Sequence, residues 1–234
     1  MRSRLVPRSQ PMTAIAFAYD PEKSEQAGRT AAAAFEKHAA DADVAFGARV
    51  ITTTISGSYD LFGRIARHFD LAVISQDEPD KAQSEELVVE GALFESGRPV
   101  VMVLYIHKSG LKLERVMVCW DGSRPAARAV ADAMPLLSRA RKVDVVVVAP
   151  TKIDEMPGAD VAEHLARHGL DITVERIARA NLDVNDALLN FAADSGADLV
   201  VMGGYRHSRM REFVLGGTTR AMLTSMTVPT LMSH

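Results

Sequence analysis

Asp198-Leu199-Val200-Val201-Met202-Gly203-Gly204-Tyr205-Arg206, followed after nine residues by Gly216-Gly217-Thr218-Thr219, joins an apolar run to a glycine-punctuated loop and then a helical pattern. A short Val/Leu run without polar alternation reads as a strand buried on both faces, the habit of parallel sheets. Glycines let a backbone approach an anion closely, and the helix start that follows presents unpaired N–H groups and a positive dipole end. The residues alone leave two readings open: a phosphate cradle, or a strand-to-helix turn that uses glycine for geometry.

An upstream stretch, Asp70-Leu71-Ala72-Val73-Ile74-Ser75, nearly copies the run and precedes it by 128 positions. Each copy leads to a helical segment and then a proline-initiated strand, Arg98-Pro99-Val100-Val101-Met102-Val103 and Val228-Pro229-Thr230-Leu231-Met232, whose prolines are 130 positions apart. The chain therefore reads as a tandem repeat, divided at the polar connection Lys108-Ser109-Gly110-Leu111-Lys112-Leu113 into residues 1–110 and 111–234. In the second half, strands at 115–120, 143–149, 171–177, 198–202 and 229–233 alternate with helices at 124–140, 158–168, 183–195 and 211–225. Such alternation implies α/β architecture, an open parallel sheet covered on both faces. The first half reads as helix 21–40, strand 45–53, helix 58–68 opening on the loop Ser56-Gly57-Ser58, strand 70–75, helix 84–96 and strand 99–105. Its opening strand-helix unit is not recognisable, unless residues 1–19 hold a fragment of its second strand. The first domain is thus truncated or degenerate, and its sheet lacks the expected central strand.

Composition narrows the function classes. The 234 residues are 47% apolar and 24% charged, as in ordinary globular proteins, and the net charge of −3 offers no basic field for nucleic acid or an anionic membrane. No apolar run approaches the roughly 18–20 residues that span a bilayer, and the N-terminus shows no export pattern. With Cys119 as the sole cysteine, no internal disulfide forms, and a reduced, cytoplasmic setting is expected. Leu5-Val6-Pro7-Arg8 resembles a protease-cleavable tag site without its usual Gly and reads equally well as a native strand and loop; residues 1–11 decide nothing.

In an open parallel sheet, ligands sit beyond the carboxyl ends of the strands where strand order reverses. In the second half, the loops there are Trp120-Asp121-Gly122-Ser123 and the glycine loop. Asp121 has two readings of similar weight, a ligand contact or part of a helix start in which Ser123 is N-cap and Pro125 lies in the first turn. Val148, at the end of the second strand, reads most simply as core.

These residues, with the loop spacing and the closing Val-Pro strand, resemble the universal stress protein family, the second half in full and the first more faintly, in its tandem two-domain form. The resemblance implies a Rossmann-like, adenine nucleotide hydrolase-like sheet in each half. It also implies pairing of the terminal strands of the two halves into an intramolecular pseudo-dimer, with a homodimer as a further form. A proline at the first strand position suits such an edge.

Carried over residue by residue, the family's nucleotide motif places Gly203 and Gly216 against phosphate or ribose, and Asp121 and Val148 around the adenosine. Arg206 stands where the motif has its second Gly, and Gly217 where it has a Ser or Thr, with Thr218 and Thr219 adjacent. A left-handed backbone at Arg206 costs about 1–2 kcal/mol, and a lost hydroxyl contact about 1, together about ten- to a hundredfold or more in affinity. Against that, Arg206, Arg209 and Arg211 set cations beside the loop, and a guanidinium grips phosphate bidentately. The first half's equivalent, Ser75-Gln76-Asp77-Glu78-Pro79-Asp80, is acidic and without glycine, so one nucleotide per chain is expected.

The expected function is that of a cytoplasmic stress-response protein binding ATP or a related adenine nucleotide, with Mg2+ as the ion that would accompany it, and not an enzyme beyond weak ATP hydrolysis. The alternative, favoured by Arg206 and Gly217, is a stress protein without nucleotide that acts through protein contacts. His164 and His168 share a helix face without an acidic partner pattern and read as solvated, no metal site is expected, and Cys119 reads as buried and inert. Gly203→Val is expected to block nucleotide and leave the fold intact.

Overall fold

The computed structural model describes residues 12–18, 21–76, 84–108, 110–149, 158–178, 182–204 and 222–234. Backbone contacts divide the chain into two compact units, Met1–Ser58 and Tyr59–His234. This cut differs from the repeat halves because a strand of the first half pairs with one of the second.

The first unit is a strand-helix-strand crossover. β1 (Met12–Ala18) and β2 (Phe46–Thr52) pair in parallel, Met12 opposite Phe46 through Ala18 opposite Thr52, joined by α1 (Pro21–Asp41). A parallel pair needs such a crossover, and Phe35 of α1 meets Phe46 edge-on, ring centroids 6.3 Å apart. Residues 12–18 thus supply a strand ahead of α1, the fragment the sequence left open.

α2 (Ile55–Ala66) begins three residues before the expected start at 58. The Ser56-Gly57-Ser58 stretch lies inside it, because Thr54 is the N-cap: its Oγ1 accepts the Gly57 N–H at 3.1 Å.

The second unit holds a seven-stranded sheet in the order β3-β4-β9-β8-β5-β6-β7. Its strands are β3 (Ala72–Ser75), β4 (Val100–Val103), β5 (Arg115–Cys119), β6 (Lys142–Ala149), β7 (Ile172–Ala178), β8 (Leu199–Gly203) and β9 (Thr230–Ser233). Every pairing is parallel except β4 with β9, where Val101 lies opposite Leu231, flanked by Val100 opposite Met232 and Met102 opposite Thr230. The two proline-led strands therefore meet edge to edge, as expected. Between the strands run α3 (Ser84–Glu95), α4 (Arg124–Leu137), α5 (Ala159–Ala166) and α6 (Val184–Ser195). α6 ends at Gly196, whose φ of +69° suits only glycine without strain. Of the helix expected at 211–225, residues 222–225 are described and helical.

The first half's four described strands fall in two sheets. Among the described residues, no strand of that half corresponds to β5, which in the second half joins β6 to β8. One apolar core runs from Val101 and Leu231 through Val116, Val118, Leu199 and Val201 to Leu137 and Leu165 under the helices, all nearly inaccessible to water. At the amino edge of the sheet, Asp144 interrupts the Val run of β6. Its fully buried carboxylate accepts from Arg115 Nε, while Arg115 also donates to Ser195 O at 3.1 Å, so the charge is paired inside the fold.

Candidate functional site

Val118 at the centre of the sheet lies level with Val145 on β6 and Val201 on β8. Three residues further along each chain, at the carboxyl edge, stand Asp121, Val148 and Gly204. The chain runs from β5 outward through β6 and β7, then returns to build β8 and β9 on the other side of β5. That reversal falls between β5 and β8, the point in doubly wound sheets where ligands sit beyond the carboxyl ends of the strands.

The loop after β5 is a tight helix start. The Asp121 carboxylate accepts the Ser123 N–H at 2.9 Å, Gly122 takes a φ of +71°, and Ser123 Oγ accepts the Ala126 N–H at 3.2 Å as the N-cap of α4. Asp121 is exposed, so the turn uses one carboxylate oxygen and leaves the group in contact with solvent beyond the end of β5. Val148 is half-buried, opposite Ile177.

Gly203 has a packing role that bears on the expected Gly203→Val outcome. A Cβ there would lie 2.5 Å from Ala126 N and 2.6 Å from the Pro125 carbonyl carbon, closer than any real contact. The glycine is required because the first turn of α4 lies against the end of β8, and Gly203→Val would break that packing instead of leaving the fold intact. In the sequence Pro125 reads only as a first-turn residue and Ala126 is not singled out; nothing there signals a backbone-to-backbone approach between residues so far apart in the chain.

Gly204 donates its N–H to Ser233 O at 2.7 Å, and His234 Nδ1 donates to Gly204 O at 3.0 Å while its ring meets Phe94 edge-on at 4.9 Å. Arg206, Gly216, Gly217 and Thr218 lie outside the described residues, as do residues 77–83 of the first half's acidic loop.

Cys119 is partly buried, and its thiol is pushed up to about 12, first by desolvation and then by the negative charge of Asp121. A thiol so protonated is a poor nucleophile. His164 and His168 meet edge-on at 5.0 Å, and no cluster of three metal-ligating side chains occurs among the described residues.

Residues 112–234 match the model of the Universal stress protein family. The chain belongs to the universal stress protein family. The second half carries the match, and this universal stress protein is 29% identical over 90 residues to Universal stress protein Slr1230 of Synechocystis sp., an alignment covering 37% of the chain and 30% of that relative. The chain thus spans less than a third of the curated relative's length. Among solved structures it is similar to a universal stress protein from Archaeoglobus fulgidus, with a TM-score of 0.65 at 16% identity over 95% of this chain and 87% of that one. It is also similar to PA1789 from Pseudomonas aeruginosa, a protein of unknown function, with a TM-score of 0.64 at 10% identity over 96% and 82% of the two chains. At those identities the likeness is one of fold, a mixed α/β sheet, and it extends over the first half of this universal stress protein as well as the second. No helix among the described residues is long and apolar enough to cross a membrane.

Proposed function

We propose that the second half binds ATP or a related adenine nucleotide between the β5 and β8 loops, and that the protein works in the cytoplasm as a stress-response binding protein and not as an efficient enzyme. The observation that carries this reading is the reversal of strand order between β5 and β8, which sets the Asp121 turn and the start of the glycine loop after the ends of two neighbouring parallel strands. Asp121 would meet the ribose hydroxyls, Val148 the base, and the glycine loop with Arg206, Gly216, Gly217 and Thr218 the phosphates and their Mg2+. The first half would serve as a degenerate partner in a tandem pseudo-dimer, a reading supported by pairing of the two proline-led strands with their copies in opposite order. Native mass spectrometry of gently purified protein tests the proposal: a species heavier by one adenine nucleotide per chain is expected.

A second reading has a specific observation behind it. Arg206 and Gly217 stand where the nucleotide-binding motif has Gly and Ser or Thr, and a chain that lost the ligand would act through protein contacts alone. It predicts no added mass in the same experiment, even with millimolar ATP present.

A further inference from the structure

Gln76 occupies, in the first half, the place that Gly204 holds in the second: each follows its near-copy strand by the same step, and the two are 128 positions apart. Gly204 bears no side chain. The Gln76 side-chain amide, in contrast, donates to Leu223 O at 3.1 Å and Thr224 O at 3.2 Å, while its backbone N–H bonds to Val103 O at 2.7 Å. Leu223 and Thr224 lie in the described helical turn at 222–225, after which the chain leaves the helix at Met226. Carbonyls of a last turn have no N–H donors within their own helix and must find donors elsewhere. Gln76 provides both, at the negative end of the helix dipole.

The two halves exchange matching contacts here. Leu93 of α3 precedes Leu223 by 130 positions, and Leu93 packs 3.9 Å from the spot where a Gly204 Cβ would stand. One arm of this exchange ends in a bare glycine and the other in an amide committed to a helix end. Gln76 thus spends on the partner half the position that the second half keeps free of side chain.

We propose that Gln76 is a positioning residue: through its clamp on Leu223 and Thr224, the first half anchors the helix that follows the glycine loop, and so sets the nucleotide affinity of the second half. Thr219 of the loop precedes Leu223 by four residues in the sequence, so the anchored turn follows the loop closely along the chain. The clamp itself stands on the two hydrogen bonds; only its effect on affinity rests on the function proposed above.

Three substitutions separate the outcomes. Gln76→Ala removes both donors, Gln76→Glu keeps the shape and sets a carboxylate against two carbonyls, and Gln76→Lys restores donors with a charge that suits a helix C-terminus. Hydrogen exchange of the peptide containing residues 222–226 should speed up about tenfold in Gln76→Ala, more in Gln76→Glu, and stay near the parent rate in Gln76→Lys. ATP titrated calorimetrically should bind about tenfold more weakly to Gln76→Glu than to the parent, with Gln76→Lys restoring affinity. Parent-like exchange in both Gln76→Ala and Gln76→Glu overturns the clamp. Faster exchange with unchanged ATP affinity overturns the coupling to the loop. A parent that shows the exchange pattern and binds no ATP leaves the clamp standing and removes the nucleotide reading.

Discussion

Val101 of β4 lies directly opposite Leu231 of β9, and the two residues are 130 positions apart, the same separation as Pro99 and Pro229. Each is therefore the other's copy, and the flanking pairs, Val100 with Met232 and Met102 with Thr230, exchange roles about that point. This is how an isologous interface between identical subunits is built, here within one chain. Both residues are almost wholly buried in the common core. Leu231→Ala should cost about 2–5 kcal/mol. Combined with Val101→Ala it should depart from additivity by about 0.5–3 kcal/mol, since the side chains are direct cross-strand neighbours. Urea titration of the two single variants and the double variant checks this.

Gly203→Ala should lower stability by about 1–3 kcal/mol, because its new methyl group meets the backbone of Pro125 and Ala126, which cannot swing aside as a flexible side chain can. Gly203→Val should be worse and lose part of the helical circular dichroism. A variant with the parent's urea midpoint would show that the first turn of α4 yields easily.

Much of the architecture was legible in the sequence because each half repeats the same order of Val-rich runs and amphipathic segments, and because Pro99 and Pro229 mark the starts of edge-capable strands. The pairing of those strands was implied by the family resemblance, and the proline positions suit the edges it needs. What escaped was local capping and backbone contact: Thr54 starts α2 ahead of a Ser-Gly-Ser stretch that reads as loop, and Gly203 is fixed by a helix start that begins 79 positions earlier in the chain, at Arg124. Gln76 escaped for a related reason, since a lone glutamine at a strand end carries no signal until its donors are seen to meet two orphan carbonyls.

Asp121→Asn distinguishes turn from ligand contact. The amide oxygen still accepts the Ser123 N–H, so stability should stay within about 0.5 kcal/mol of the parent. If the carboxylate meets the ribose, affinity for adenine nucleotide should fall about tenfold or more. An unchanged dissociation constant would make Asp121 a turn residue alone.

Alkali should destabilise the fold over a defined window. Cys119 is raised from 9.0 to about 12 by burial and then Asp121, and Tyr59 from 10.0 to about 12 by burial and then by Glu95, whose carboxylate accepts the phenol O–H at 3.3 Å. Both groups hold their protons more tightly in the folded chain. Neither group affects stability below pH 9; because the unfolded chain gives up these protons first, stability falls as pH rises from about 9 to 12 for Cys119 and from about 10 to 12 for Tyr59, less for the more exposed Tyr59. Urea midpoints measured across this window should fall, and Cys119→Ala should flatten the early part of the decline. A decline as steep in Cys119→Ala as in the parent would assign it to other groups.

Isothermal titration of ATP into the full chain tests the central claim most directly. One binding site per chain is predicted, because only the second half pairs a glycine loop with Asp121 and Val148 at the point where the strand order reverses, while the first half spends Gln76 on Leu223 and Thr224. No heat of binding at millimolar ATP would contradict nucleotide binding, and a stoichiometry of two per chain would contradict the division of labour between the halves.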